Sequence, residues 1–547
     1  MQKLHNIMKL WSLKNKYILI VDDFAGMRTM LRNMLTPYRP EHIAEAVSGE
    51  DALKAIQEND FDIILCDYNL GPGKDGQQIL EEIKERELIP YSAIYIMTTA
   101  ENTSEMVMGA VEYSPDDYLS KPFTKEVLIS RLKKLIKRKS ILKKISTSTR
   151  QRDYESAINF CDEQLSGKPT NRLELLKIKT ELLLRINDYD NVENLIKPIL
   201  EEREIPWALL YLGQAHYYRK NYDDARFIFE DLIEDHPNYL FAHDWLAKLH
   251  RTNKNYAEAQ KALEKATIKS PKAIKRQQIL AKISFENEDY DTSEKSYKRI
   301  TRTGKNSYYL NPDDYLGLAE VYLKKDSISD ALDTMSDMRK EFNNADPLKN
   351  MKSHINEAFL YDRLHRKKET NERIDKIISI FSKDPGTVTS VDSIELAKLC
   401  YSLDRKEDGN KFIQYVIKNN HDNQETIDEI ISLLTSIGFS NKEINALLKS
   451  RDEVIEINNR GVKLATTGKI AESISLFVEA ATAMPENHVI NLNTAQSLIM
   501  HMNKSGATET LMDETKKYLD KVKFTGKPSE KYKILTTSWQ NLAETLD

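Results

Sequence analysis

A chain of 547 residues exceeds one ordinary folding unit, and its apolar side chains, 40% of the total, are enough for more than one core. Charged residues make up 30% while the net charge is only −5, which excludes an overall electrostatic bias toward nucleic acid or anionic membrane. Three widely spaced cysteines, Cys66, Cys161 and Cys400, give neither a disulfide framework nor a metal-ligand spacing and fit a reducing cytoplasm. The opening MQKLHNIMKLWSLKNK has no long apolar stretch and no small-residue cleavage site, and no later window of about 18 residues is free of charge, so neither export nor a membrane span is expected.

After an N-terminal extension, residues 1–15, the segment 16–140 alternates two textures. Short β-rich runs (YILIV, HIAEAV, FDIILC, AIYIMT, DYLS) alternate with helical patterns (FAGMRTMLRNML, GEDALKAIQE, GQQILEEIKER, SEMVMGAVE, EVLISRLKKLIKR). Such alternation predicts right-handed crossovers and a five-stranded parallel sheet covered on both faces, an α/β doubly wound domain. Its site lies beyond the carboxyl ends of the strands.

Those ends carry chemistry. The first strand finishes YILIVDD with Asp22 and Asp23, and the third runs FDIILCDYNLGPGKDG, placing Asp67 at the lip of the sheet before a glycine-rich loop. The fourth ends with Thr98 and Thr99, and DYLSKPF puts Lys121 and Pro122 after the fifth. Crowded carboxylates raise one another's pKa unless a cation lies among them, and hard oxygen donors suit a divalent metal such as Mg²⁺. With metal and lysine neutralising a phosphoryl group and a hydroxyl bonding one of its oxygens, a carboxylate can act as nucleophile.

These residues, in this order and spacing, resemble the receiver domain of two-component response regulators, and VDDFAGMRTMLRNML is close to the single-domain chemotaxis receiver. The resemblance implies a flavodoxin-like fold in which Asp67 accepts a phosphoryl group from a histidine kinase or phosphotransfer protein. It implies that Asp22, Asp23, Asp67 and the backbone carbonyl of Asn69 hold Mg²⁺, that Thr99 and Lys121 contact the phosphoryl oxygens, and that Tyr118 is an aromatic switch. Thr99 is favoured over Thr98 because Ala100 follows it. Receivers of this kind carry a cis peptide at the position of Lys121-Pro122. The loop Leu70–Gly76 is one residue longer than is usual in the family. Asn69 and Glu101, two residues beyond acceptor and hydroxyl, flank the approach of an in-line water, and neither shields it, so a short-lived phosphorylated state is expected. Haloacid-dehalogenase-type phosphatases also form aspartyl phosphates, with a second aspartate two residues on; Asn69 stands there instead, so a signalling phosphoacceptor and not an enzyme is expected.

The basic run RLKKLIKRKSILKKI leads out of this domain, with 141–150 read as a connector helix. Beyond it the pattern is all helical and repetitive: Tyr222, Tyr256 and Tyr290 recur every 34 residues, as do Ala225, Ala259 and Ser293, and Phe229, Leu263 and Tyr297. The period resembles the tetratricopeptide repeat, framed at Pro206–Tyr239, Leu240–Ala273 and Ile274–Ser307, within a block spanning 151–345 and followed by an insertion, TGKNSYYLNP. Degenerate helical repeats are expected over 346–450 and further repeats over 451–547, together an all-α solenoid. The resemblance places Trp207, Leu210, Tyr217, Phe241 and Phe285 in a partner-binding groove. His243 and His250 share a helical face but lack further ligands at useful spacing.

The combined expectation is a cytoplasmic response regulator whose repeats bind a protein partner, such as another regulator, in a phosphorylation-dependent way, without a DNA-binding output. Phosphorylation is expected to act through the face built by the fourth helix, fifth strand and fifth helix. A homodimer is compatible with the sequence, and no membrane partner is expected. Two alternatives are a modulator of its own phosphorelay that binds the kinase or a sibling regulator, and a nucleic-acid binder acting through the basic connector.

Overall fold

The five β-rich runs lie side by side in one parallel sheet in the computed structural model, which describes residues 13–100, 115–150, 152–167, 169, 171–522 and 529–543. The strands are β1 (Tyr17–Val21), β2 (His42–Ala46), β3 (Ile63–Asp67), β4 (Ile94–Thr99) and β5 (Asp117–Ser120), in the order β2-β1-β3-β4-β5. The order reverses between β1 and β3, the position at which doubly wound sheets open a crevice for ligands. The register sets Val21 beside Cys66 and Asp67 beside Thr98, so the acidic ends of β1 and β3 emerge next to each other.

Alternation along each strand divides the core. Ile18, Ile20, Ile63, Leu65, Ile94, Ile96 and Leu119 face one side, against the helices Ala25–Leu35 and Lys125–Ser140. Leu19, Val21, Ile64, Cys66, Tyr95 and Met97 face the other, against the helices Gly49–Glu58 and Gly76–Glu85. The helix expected at SEMVMGAVE lies outside the described residues.

Compactness divides the chain at Leu310/Asn311, inside the block 151–345. In the first unit each 34-residue frame holds one helix pair: Pro206–Tyr218 with Tyr222–Asp235, Leu240–Thr252 with Tyr256–Lys269, and Ile274–Glu286 with Tyr290–Thr303. The recurrent residues have recurrent tasks. Ala225, Phe229, Ala259 and Leu263 are all 0% exposed in one continuous core. Between paired helices the chain turns through a left-handed residue, Lys220, Lys254 or Glu288, and the next residue caps the second helix. The second unit is also helical, from Pro312–Lys324 to Glu530–Ala543, with cores around Phe412 and Phe477. Through 346–450, where the sequence signature fades, helix pairs continue, and His365 and Asp404 occupy the same left-handed turn positions.

The basic run differs from its expected form. The helix Lys125–Ser140 ends at Ile141, and Lys143–Arg150 is a separate helix that pairs with Tyr154–Ser166. Leu142 and Ile145 are buried with Cys161, Leu175 and Leu182, so 143–150 opens the first repeat and is not a solvated connector.

Phe229 lies fully buried between three helices, so Phe229→Ala should cost about 3–5 kcal/mol through lost contacts and a residual cavity. Chemical denaturation followed by circular dichroism should show an earlier transition; an unchanged transition would contradict this packing.

Candidate functional site

The strand ends converge as their pairing dictates. Asp22, Asp23 and Asp67 each offer a carboxylate oxygen, and these atoms lie within 4.8 Å of one another. Asp22 is 1% exposed: its Oδ1 accepts from the backbone N–H of Phe24 at 2.9 Å, and its Oδ2 meets Lys121 Nζ at 2.9 Å. The same Nζ lies 2.9 Å from Asp67 Oδ2. Asp23 is exposed. The Arg28 guanidinium donates to the carbonyls of Asp22 and Asp23 and pairs with Glu45, which fixes the turn after β1.

Burial pushes the Asp67 carboxyl above the usual carboxylate range, with Lys121 working against the shift. Burial disfavours the charged form of Lys121, but its bonds to Asp67 and Asp22 outweigh that and raise its pKa. The ammonium therefore stays charged. Three crowded carboxylates with a single bridging cation form a donor set of hard oxygens that fits a divalent metal such as Mg²⁺.

The predicted hydroxyls separate by their surroundings. Thr98 Oγ1 donates to the Cys66 carbonyl at a long 3.5 Å, whereas Thr99 is 2% exposed and its carbonyl accepts from Lys121 N–H at 2.6 Å. The Lys121-Pro122 bond is cis. Tyr118 is half-buried beside Tyr68, and burial raises its hydroxyl pKa. Asn69 is exposed, and its side-chain oxygen accepts from Gly71 N–H at 3.2 Å, closing a small turn after Asp67. Glu101 lies outside the described residues.

A buried brace behind Asp67 escaped the sequence reading. Tyr95, 1% exposed, donates its hydroxyl to the carbonyl of Gly76 at 2.9 Å, and the Cys66 thiol, pushed up to about 12 by burial, donates to the Asp67 carbonyl. Gly76 is obligatory here because an added Cβ would lie 2.2 Å from the Asp67 carbonyl oxygen. β3 and the helix Gly76–Glu85 are thereby locked together.

That helix is covered by the repeats of the same unit. Ser307 Oγ donates to Glu81 at 3.1 Å, Gln78 Nε2 to the Lys305 carbonyl at 3.1 Å, and Tyr309 OH to Glu85 at 3.0 Å, while Lys275 pairs with Glu85 at 2.7 Å. Lys84 is driven down to about 8 by burial near Asp116, Lys177, Lys139 and Glu181. The inserted TGKNSYYLNP supplies most of these partners; its departure from the repeat period was the available signal. Further along, Arg185 pairs with Glu87, Arg150 with Asp60, and Arg138 with Asp116 and Glu174. The receiver-type domain thus meets the repeats chiefly through the helix Gly76–Glu85 and the segment after it, not only through its last helix.

The expected groove residues lie deeper than foreseen. Leu210 is 5% exposed within the Phe229 core, so it is not a groove anchor. Trp207 is half-buried against Tyr211; Tyr217 packs on Trp245 and Tyr222 with Lys248 over its ring; Phe241 packs on Tyr239 and Phe285 on Tyr290. The helical period placed them on one stripe, but Tyr217 spends it against Trp245 of the next repeat, while Trp207 and Phe285 pack on rings of their own repeat. His243 and His250 are held below their ordinary pKa by burial, and neither joins a metal-binding group among the described residues.

Residues 18–133 match the response regulator receiver domain, and 207–239 match the tetratricopeptide repeat. Chemotaxis protein CheY-3 of Vibrio cholerae is 35% identical over 125 residues, which cover 23% of this chain and 95% of that protein. Chemotaxis protein CheY of Pseudomonas aeruginosa is 33% identical over 121 residues, covering 22% and 96% respectively. The solved structure of Vibrio cholerae chemotaxis protein CheY4 is 25% identical, with 22% of this chain and 99% of that chain covered and a TM-score of 0.21. The chain belongs to the response regulator receiver family, with a helical repeat region after the receiver.

Glu81 supplies a test of the receiver–repeat contact. It is 4% exposed, faces Asp75, Lys74, Lys275, Tyr309 and Ser307, and burial raises its pKa to about 7. A carboxyl raised from 4.5 in the unfolded chain binds more protons when folded, so stability falls as pH rises from about 4.5 to 7 and the loss is complete above that. Glu81→Gln should therefore raise the Tm at pH 8 more than at pH 5; equal shifts at both would contradict this burial.

Proposed function

We propose that this protein is a phosphorylation-controlled response regulator. Asp67 accepts a phosphoryl group from a histidine kinase or phosphotransfer protein, and the repeats serve as its output by binding a protein partner. The observation that carries the reading is Lys121 Nζ standing 2.9 Å from both Asp22 and Asp67 inside a triad of carboxylates. In the transfer, an Asp67 Oδ forms the O–P bond as the P–N bond of a phosphohistidine breaks, and the imidazole nitrogen takes up a proton. Asp22, Asp23, Asp67 and the Asn69 carbonyl would hold Mg²⁺, which would neutralise charge on the transferring group. Lys121 is free to follow the phosphoryl oxygens because its ammonium is charged and already at the acceptor, and Thr99 offers a hydroxyl to the same oxygens. The change then biases Tyr118, which is half-buried and borders the Tyr68 ring.

Output through nucleic acid finds little support: Arg138 of the basic run and Arg150 just beyond it are spent on Asp116, Glu174 and Asp60. A second reading, in which the repeats hold a sibling regulator, is favoured by one observation: their residues 275–309 already hold the receiver of their own chain. A cytoplasmic location accords with the finding that no helix among the described residues is long and apolar enough to cross a membrane.

Asp67→Asn should abolish Mg²⁺-dependent labelling from a phosphorylated kinase domain, because an amide is not nucleophilic at neutral pH. Label retained on the variant would refute the acceptor assignment. Loss of phosphate should slow in Asn69→Met, since Asn69 is exposed beside the acceptor and a bulky apolar side chain would exclude water. Decay measured at the native rate would show that water access at Asn69 does not set the lifetime.

A further inference from the structure

The loop that follows the acceptor is held from outside its own domain. It contains two glycines with left-handed backbone, Gly71 at φ +73° and Gly73 at φ +102°, so it loses much conformational freedom when fixed. Its inner side touches the acidic site, for a Cβ on Gly71 would lie 3.3 Å from Asp23 Oδ2. Its outer side is bonded to a residue 233 positions away: Asn306 Nδ2 donates to the Gly73 carbonyl at 3.0 Å, and Lys74 Nζ donates to the Asn306 carbonyl. Lys74 also pairs with Glu82 at 3.2 Å, and Gln78, whose side chain caps the loop's end at Asp75, donates to Lys305. Asn306 itself adopts φ +70°, a conformation that asparagine tolerates better than most residues, which aims both its side chain and its carbonyl at the loop.

We propose that Asn306, in the repeat region, is a positioning residue for the receiver's acceptor site, holding the loop Asn69–Asp75 in the conformation that presents a backbone oxygen to the divalent cation. The inference rests on the reading of Asp67 as the centre of a Mg²⁺-dependent phosphoacceptor. A loop already ordered by Asn306 loses less entropy when the cation binds, so affinity is higher than the receiver's own residues alone would give. Linkage makes the effect reciprocal: Mg²⁺ bound at the carboxylates tightens the receiver against residues 305–307. The acceptor site and the output region thereby share one thermodynamic element through the loop, without any message passing along the outer face of the last strand and helix.

The test compares Mg²⁺ binding to full-length chains by titration calorimetry. Asn306→Gly keeps the left-handed turn accessible and removes the side-chain donor; it should weaken Mg²⁺ binding about fivefold, the worth of one net hydrogen bond. Lys275→Met with Tyr309→Phe removes contacts to Glu85 without touching the loop and should leave the affinity as in the native chain. Hydrogen exchange without metal should show faster exchange of the 71–75 amides in Asn306→Gly alone. Native affinity in Asn306→Gly, or equal weakening in both variants, would overturn the proposal, the latter because general docking would then explain the effect. Failure of the underlying reading looks different: the native chain would bind Mg²⁺ no better than Asp67→Asn.

Discussion

The bridge from Lys121 to Asp22 and Asp67 is the interaction on which the rest of the candidate site depends. Two carboxylates that leave neighbouring parallel strands side by side, one of them 1% exposed, repel each other, and the ammonium between them offsets that repulsion. The lysine reaches them from the end of β5, on the far side of β4, so the positions of three strands are written into one ammonium. The constraint propagates outward. Because β3 stops at Asp67, the chain turns at once, and the close approach of Gly76 to the Asp67 carbonyl lets the next helix begin directly behind the site. That helix carries Gln78, Glu81 and Glu85, which meet the repeats.

The acidic cluster and its sheet were legible in the sequence because their determinants are local. The strands are short runs of four to six residues, the functional side chains stand at or just past their ends, and parallel pairing brings such ends to one edge without further information. The repeat frames were legible for the same reason: Tyr222, Tyr256 and Tyr290 each open the second helix of a pair. Beyond residue 345 the tyrosines give way to Lys367 and Lys406, yet the left-handed turns before those helices remain at His365 and Asp404. The fold there rests on backbone geometry that several residue types satisfy, which no side-chain signature reports.

What escaped the sequence is long-range. The bonds from Asn306 to Gly73 and from Ser307 to Glu81 join residues 233 and 226 positions apart, and neither Asn306 nor Glu81 belongs to a motif. Leu210 was misjudged as groove-lining because its helical stripe serves both groove and core, and only packing against Phe229 decides between them. The buried Cys66 and Tyr95 were hidden likewise: in a strand they read as core, and their polar atoms reveal a role only once Gly76 is set beside them.

The central claim is that a single carboxylate, Asp67, receives the phosphoryl group. Its most direct measurement is to incubate the full-length chain with Mg²⁺ and a small acyl phosphate, reduce the acyl phosphate bond with borohydride, and map the modified residue by mass spectrometry. Reduction is expected at Asp67 and nowhere else, dependent on Mg²⁺. Modification at Asp22 or Asp23 instead, or none at all in the presence of Mg²⁺, would contradict it.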